Sequence, residues 1–163
     1  MTFYEGCLYV GCFEKYNESV IARYGIDAEG NLINTMDKEL GMNFEMAVPL
    51  DYSTISEQVQ GIAFYNDKLL ISHSFGILPS RLVVYEQSDK RLYVNENSAR
   101  TYRFPERLEQ IVVEGDNLYV MFESCAYAYR VSSVNIVDRV LKLSLPKMEA
   151  YEEESDSLFS LSE

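Results

Sequence analysis

The sequence has no tryptophan, a single histidine and three cysteines. One histidine excludes a zinc site built from several histidines. The cysteines, Cys7, Cys12 and Cys125, are odd in number, so at least one thiol is unpaired within a chain. Cys7 and Cys12 lie five residues apart in a segment with strand character, which disfavours a disulfide between them. We therefore expect buried, reduced thiols in a cytoplasmic protein, with a secreted parent protein cut down to this chain as the alternative.

Long apolar runs and positive charge are also scarce. No apolar run approaches the ~20 residues of a membrane-spanning helix, and the start MTFYEGCLYV lacks the basic residues of a signal peptide. Fourteen Lys and Arg stand against 26 Asp and Glu, which gives a net charge of −12 at pH 7. Such a chain repels phosphate backbones and anionic headgroups, so we expect no nucleic-acid partner and no membrane partner.

Negative charge is concentrated at the C-terminal end. Residues 149–163 hold six acidic residues and no basic one, which leaves 20 acidic against 14 basic residues in the body. We divide the chain into a β domain at 1–146 and an acidic tail at 147–163. The tail is interpreted as solvated and frayed. The alternative is that its apolar residues dock on the body or on another subunit, and these are Leu158, Phe159 and Leu161.

A recurring pattern of short strands dominates the remaining sequence. Three segments share an apolar stretch, a turn pair, a Leu-x-[Val/Ile] step and a second apolar strand, and these are EGCLYVGCFE, QGIAFYNDKLLISHSFG and EQIVVEGDNLYVMFES. The turn pairs consist mainly of residues that tolerate positive φ, and they are Gly6-Cys7, Asn66-Asp67 and Gly115-Asp116. Further hairpins are predicted at Glu29-Gly30 and Ser88-Asp89, with the strand KRLYVNE after the latter. The only weak helical candidate is 36–47, so the pattern predicts an all-β fold.

Repeated hairpins at this spacing indicate propeller blades. The runs LYVGCFE, VQGIAF, LLISHSFG, SRLVVYE and EQIVVEGDNLYVMFES resemble blades of bacterial β-propeller proteins of the lactonase and quinoprotein-like kind. They are more closely similar to an uncharacterised bacterial group with motifs such as QG-x-A, S-x-S-x-G and FES. The resemblance covers most of residues 3–145. It implies a β-propeller-like fold of about three to four four-stranded antiparallel blades, and it supplies no established activity.

The chain is short for a closed ring. A blade takes roughly 40 to 45 residues, so even four blades need about 160 to 180. An unclosed stack of blades would leave strand edges exposed. Three solutions remain open: a ring shared between two chains, a missing N-terminal portion, or a tail that covers the edge. We favour a partial propeller that is completed by oligomerisation.

In a propeller, polar residues at the ends of the inner strands converge on the channel mouth, where ligands bind. Gln60 and Glu109 precede apolar strands at matching positions of the second and third units, and Ser74 and Ser124 similarly follow second strands. No catalytic role is assigned. The candidate ligand-binding residues at the channel mouth are Gln60, Ser72, His73, Ser74, Arg81, Glu109, Glu123 and Ser124.

Each candidate also has a structural interpretation. His73 is more typical of a hydrogen-bonded structural histidine than of a catalytic base. Glu123 lies in an apolar run, so its carboxylate must be paired or shifted in pKa, and Arg81 or Arg130 would supply a structural ion pair. Gln60 can satisfy backbone groups at a strand start. The 13 tyrosines are typical of packing between blades rather than of a sugar-stacking platform.

Two functions follow from this pattern. The favoured one is a binding or scaffold module that recognises a small ligand or a protein partner. Such a module does not require a precise arrangement of catalytic residues. The alternative is a lactonase-like or other hydrolytic enzyme with its site at the central channel. A triad would have to use His73 with Ser72, Ser74 or Ser124, and the sequence contains no GxSxG motif. No metal site or cofactor is predicted, although Glu109 and Glu123 are the residues that a calcium ion would use.

Overall fold

The computed structural model describes residues 1–36, 45–87 and 93–151, and this part of the chain forms 13 β-strands. All strand pairings within these ranges are antiparallel. The first sheet has the order β1-β2-β3-β6, with β1 Thr2–Tyr4, β2 Cys7–Gly11, β3 Ser19–Gly25 and β6 Asp51–Ile55. The second has the order β10-β9-β8-β7, with β7 Val59–Tyr65, β8 Lys68–His73, β9 Ser80–Tyr85 and β10 Ser98–Phe104. The third has the order β11-β12-β13, with β11 Leu108–Glu114, β12 Asn117–Phe122 and β13 Leu141–Ser144.

The all-β prediction is confirmed, and within the described ranges the sheets do not close into a barrel. Two sheets have the expected four strands and the third has three. Two short strands, β4 Asn34–Met36 and β5 Glu45–Ala47, pair with each other, so both ends of the weak helical candidate are extended. Its centre, residues 37–44, lies outside the described residues.

The tight turns were largely predictable from local sequence. Asn66 and Asp67 connect β7 to β8 with φ of 48° and 61°, and Gly115 connects β11 to β12 with φ of 54°. The first turn uses Glu5 and Gly6, and Cys7 already belongs to β2. The hairpin expected at Ser88-Asp89 lies outside the described residues.

The strand expected at KRLYVNE was wrong in its described part. Residues 93 and 94 are irregular, and Asn95–Asn97 form a 3-10 turn. The partner of β9 is instead β10, which begins at Ser98. Strand pairing depends on contacts across the sheet, and the turn chemistry of residues 88–89 did not reveal this longer connection.

The second sheet is the middle layer of the molecule. One of its faces packs on the first sheet, where Ile62, Phe64 and Ile71 meet Tyr9, Ile21 and Ile55. The opposite face packs on the third sheet, through a cluster that contains Ala63, Leu70, Leu82, Ile111, Leu118 and Val120. Because successive residues of a strand point to opposite faces, burial of both faces explains why Leu69 to His73 are all buried.

The first strands of the three sheets lie side by side. The rings of Tyr4 in β1 and Phe64 in β7 stack with their centroids 4.2 Å apart. Strands β7 and β11 approach closely at Gly61, where an added Cβ would lie 2.7 Å from the backbone nitrogen of Ile111. A small cavity of about 180 Å³ is lined by residues of all three strands. Gly61 is therefore required for this packing, since any side chain would meet the neighbouring backbone.

The chain continues beyond β13 into a helical segment at residues 145–151. Pro146 lies in its first turn, where the missing N–H costs nothing. Leu145 is buried in the core between the second and third sheets, Met148 packs against the same core, and Glu149 contacts Lys68 and Arg100. The predicted boundary at 146 thus falls inside a segment that packs on the body, at least as far as Tyr151.

All three cysteines are unpaired, as expected for Cys7 and Cys12. The expectation that they are buried is wrong, because Cys12 is exposed and Cys7 and Cys125 are half-buried. No helix within the described ranges is long and apolar enough to cross a membrane.

Candidate functional site

A cleft of about 410 Å³ opens where β7 and β11 begin and where β8 and β12 end. Three of the predicted site residues line it together, namely Gln60, Ser74 and Glu123. The remaining walls are formed by Phe13, Phe75, Gly76, Arg107 and Tyr129. The cleft therefore combines polar groups from two sheets with three aromatic rings.

Two backbone bends with the same geometry build the floor of the cleft. Gln58 precedes β7 with φ of 67°, and Arg107 precedes β11 with φ of 64°. The carbonyl of Gln58 accepts the backbone N–H of Ser74, and the carbonyl of Arg107 accepts that of Glu123, both at 3.0 Å. These hydrogen bonds bring Ser74 and Glu123 to corresponding places beside the two bends.

Arg107 supplies the positive charge of the cleft, and its residue surface is only 8% exposed. Its Nη2 donates to Ser132 Oγ at 3.0 Å, and the Tyr129 ring centroid lies 4.2 Å from its Cζ. Its Nη1 lies 4.0 Å from Glu123 Oε1, and its buried Nε has no hydrogen-bond partner among the residues that the structure describes. A hydrogen bond to a carboxylate needs a distance near 3 Å, so the contact with Glu123 is an ion pair without a hydrogen bond.

Glu123 does not form the ion pairs that were expected for it. Arg81 instead contacts Glu57 at 3.4 Å, and Arg130 donates to the carbonyl of Cys125 at 3.3 Å. Glu109 does not line the cleft. Burial raises the pKa of its carboxyl above the usual range, and the negative charge of Glu123 raises it further. The charge of Glu123 therefore acts on Glu109, and Arg107 is the cation beside Glu123.

Gln60 and Ser74 belong to a hydrogen-bonded network under the cleft. Gln60 Nε2 donates to the carbonyl of Ser74 at 3.1 Å, which matches the structural interpretation of Gln60. Ser80 Oγ donates to Ser74 Oγ at 2.9 Å and accepts the backbone N–H of Leu108 at 3.1 Å. The network joins β7, β9 and β11, so it fixes the position of the polar floor.

Aromatic rings form the exposed rim. Phe13 and Phe75 are 45% and 38% exposed, and their ring centroids lie 6.3 Å apart. Lys15 Nζ lies 4.5 Å from the centroid of Phe75 and 4.7 Å from that of Tyr16. The rim therefore offers apolar surface to anything that enters the cleft.

The other predicted residues lie away from the cleft. Ser72 Oγ is fully buried and accepts the backbone N–H of Gly61 at 2.7 Å. His73 is 1% exposed, with Nδ1 at 2.7 Å from the carbonyl of Glu57 and Nε2 at 3.3 Å from the Tyr85 hydroxyl. Burial lowers the pKa of His73 to about 4, so the ring is neutral near pH 7.

This arrangement gives no support to a Ser-His-acid triad. Both ring nitrogens of His73, the only histidine of the chain, have partners other than a serine or a carboxylate. The Nδ1 nitrogen faces a carbonyl and therefore carries the proton, while Nε2 accepts from Tyr85. His73 matches the structural interpretation that the sequence favoured.

Ser124 anchors the segment that carries one wall of the cleft. Its buried Oγ accepts the backbone N–H of Val137 at 2.9 Å. Glu106 anchors the same segment by accepting the backbone N–H groups of Val134 and Asn135 at 2.6 and 2.7 Å. The residue that corresponds to Ser74 is therefore Glu123, and Ser124 is the next residue along the chain. The Ser124 side chain is buried behind the segment that forms this wall.

Arg107 was not among the predicted site residues, although the sequence contains a signal for it. Glu57-Gln58 and Glu106-Arg107 each precede an apolar strand, and they lie 49 residues apart. The same offset relates the strand pairs Val59 with His73 and Leu108 with Phe122. Aligning the two segments at this offset would have placed a cation beside the candidate carboxylates.

Within the described residues, no group of three or more His, Cys, Asp or Glu side chains is arranged to hold a metal ion. Comparison with known proteins found no matching family model, no matching curated protein and no matching solved structure.

Proposed function

We propose that this chain is a propeller-like binding module that recognises a small ligand or a protein partner at the cleft beside Arg107. The observation that carries the proposal is the convergence of Gln60, Ser74, Arg107 and Glu123 with three aromatic rings in one cleft of about 410 Å³. Binding sites typically combine apolar walls with a few polar groups that fix orientation. A fixed cation beside a carboxylate provides such orientation.

The stacking of the sheets supports the propeller-like part of the proposal. Strands β1, β7 and β11 lie side by side, and each is the first strand and an outer edge of its sheet. In a propeller the corresponding strands surround the central channel. The cleft opens at one end of β7 and β11, which is where a channel mouth would lie.

A second copy of the chain is the partner that we propose for completing a ring. The first sheet carries exposed apolar side chains, among them Phe3 at 62% and Tyr52 at 58% exposure. The third sheet carries Val112 at 52% and Met121 at 45%. Each outer sheet thus exposes apolar side chains to solvent, whereas the middle sheet is covered on both faces.

The solution mass tests the shared ring. Light scattering on a gel-filtration peak is expected to give about twice 18.8 kDa. The variant Phe3→Asp is expected to give the monomer mass, while Glu86→Gln, which follows β9 of the middle sheet and lies on neither outer sheet, should remain dimeric. A monomeric wild-type protein at every concentration would contradict the shared ring, although the cleft would remain intact.

Ligand binding is tested with a fragment library in a thermal-shift assay. Phe13 and Phe75 are exposed, so the double variant Phe13→Ala and Phe75→Ala should fold while it loses the apolar rim. We expect fragments that raise the melting temperature of the wild-type protein and act much less on the double variant. Fragments that stabilise both proteins equally would bind elsewhere. A library without any cleft-dependent fragment would overturn the proposed function.

A further inference from the structure

The guanidinium of Arg107 has donors that the described residues do not use. Among these residues, Nη2 is bonded to Ser132, Nε has no hydrogen-bond partner, and Nη1 has the 4.0 Å contact with Glu123. Buried polar groups in folded proteins are almost always hydrogen-bonded. Tyr129 and Ser132 thus hold the guanidinium in place, and Nη1, beside Glu123, is the donor that a ligand in the cleft would use.

The backbone bend at Arg107 does not explain this arrangement. Gln58 has the same positive φ and the same carbonyl hydrogen bond, so the conformation belongs to the architecture. The two positions differ in the side chain. Gln58 Nε2 donates to the carbonyl of Lys15 at 3.3 Å, whereas Arg107 brings a full positive charge to the cleft wall.

Opposite charges stand next to each other in this wall without a hydrogen bond between them. The distance of 4.0 Å between Arg107 Nη1 and Glu123 Oε1 leaves both groups able to bind a ligand atom. A ligand that carries an anionic and a cationic group on the same carbon atom would place each charge against its opposite. Glu109 lies near Glu123, since the pKa of its carboxyl is raised by burial and, after that, by the charge of Glu123.

We propose that the cleft binds an α-amino acid with an apolar side chain. Its carboxylate would accept hydrogen bonds from Arg107, its ammonium would donate to Glu123, and its side chain would lie against Phe13 and Phe75. Arginine is suited to a carboxylate because its planar group offers several donors in a fixed geometry. This inference rests on the proposed function, since it names the ligand class of the same cleft.

Size and rim are consistent with such a ligand. The cleft volume of about 410 Å³ exceeds that of a single amino acid and leaves room for its side chain. The rings of Phe13 and Phe75 are among the few exposed aromatic surfaces near the polar floor. The charged residues that line the cleft, Arg107 and Glu123, are both assigned to the ionic groups of the ligand, so a side chain that packs on Phe13 and Phe75 is favoured.

Calorimetric titration with matched ligands tests the inference. The probes are L-leucine and L-phenylalanine, together with L-leucinamide, which lacks the carboxylate, and N-acetyl-L-leucine, which lacks the ammonium. We expect at least one amino acid to bind by about 10 mM, a concentration that nearly saturates a site with a Kd of 1 mM. Both derivatives should bind about 10- to 100-fold more weakly, because each loses one charged hydrogen-bonding group.

Substitutions of Glu123 and Arg107, the two charged residues of the cleft wall, provide the second part of the binding test. Glu123→Gln should weaken amino-acid binding about 10- to 100-fold, and it should reduce the preference for L-leucine over N-acetyl-L-leucine. Arg107→Gln should reduce the preference for L-leucine over L-leucinamide. The exposed Glu114→Gln should behave as the wild-type protein.

Two results would overturn the inference. One is binding of the amide or the acetyl derivative as tightly as the amino acid. The other is no binding of either amino acid, and in that case cleft-dependent fragments from the library would still support the proposed function. If the library also contains no fragment whose binding depends on the cleft, then both the proposed function and the proposed ligand class are wrong.

Discussion

Glu106 should contribute a pH-dependent part of the stability. Its side chain is buried, with the residue 3% exposed, and it accepts hydrogen bonds from the backbone of Val134 and from the backbone and side chain of Asn135. Burial alone would raise the pKa of Glu106, and the hydrogen bonds outweigh burial and lower that pKa from 4.5 to about 2. At 1.36 kcal/mol per unit, the ionised form is stabilised by about 3 kcal/mol.

The sign follows from the lower pKa in the folded state. The stabilisation is fully present above pH 4.5 and is lost as the pH falls from there towards 2. Glu106→Gln removes the charge at similar volume. The variant should therefore be less stable than the wild-type protein by about 3 kcal/mol at pH 7, and by about half of that near pH 3.

Urea unfolding of both proteins at the two pH values measures this difference. Effects of the other carboxylates largely cancel, because both proteins carry them. The exposed Glu114→Gln makes the same chemical change outside the contacts of Glu106, so it is the matched control. The reasoning would be refuted if the wild-type protein and Glu106→Gln differed in their free energy of unfolding by the same amount at both pH values. It would also be refuted if they did not differ at pH 7.

Two further predictions concern the middle sheet. The imidazole of His73 should remain neutral at pH 5 in NMR spectra, because burial lowers its pKa to about 4, and His73 should reduce stability as the pH falls from 6.5 towards 4. A titration midpoint near 6.5 would contradict its burial. Gly61→Ala should cost about 1–3 kcal/mol in urea unfolding, because the new Cβ meets the backbone of Ile111. Gly115→Ala, which has open space but φ of 54°, should cost about 1 kcal/mol through backbone strain. A cost for Gly61→Ala below that of Gly115→Ala would contradict the close approach of β7 and β11.

Local chemistry made the strands and turns predictable. Asn66-Asp67 and Gly115-Asp116 tolerate the backbone angles of tight turns, and the flanking apolar residues alternate or run continuously as buried strands require. The partner of β9 was not predictable in this way. Its pairing with β10 crosses a connection of twelve residues, and nothing in the turn chemistry at residues 88–89 indicates that length.

The site was predictable to the extent that strand ends determine it. Gln60, Ser74 and Glu123 were selected because they lie at ends of strands in matching units, and the structure brings them to one cleft. His73 and Ser72 also lie at a strand end, but β8 is buried on both faces, so these side chains meet protein instead of solvent. Burial of the second face depends on the third sheet, which local sequence patterns do not reveal.

Arg107 occupies the position before β11 that corresponds to Gln58 before β7, and the two positions differ in their side chains. Gln58 and Arg107 share a backbone bend and a carbonyl hydrogen bond, so a glutamine is compatible with this conformation. Arg107→Gln should therefore keep the fold, and the buried Nε without a partner would disappear with the guanidinium. Retained stability together with lost ligand discrimination would separate recognition from architecture at this position. A large loss of stability would instead mean that the cation holds Tyr129 and Ser132 in place, and Arg107 would then be a structural residue of the cleft wall.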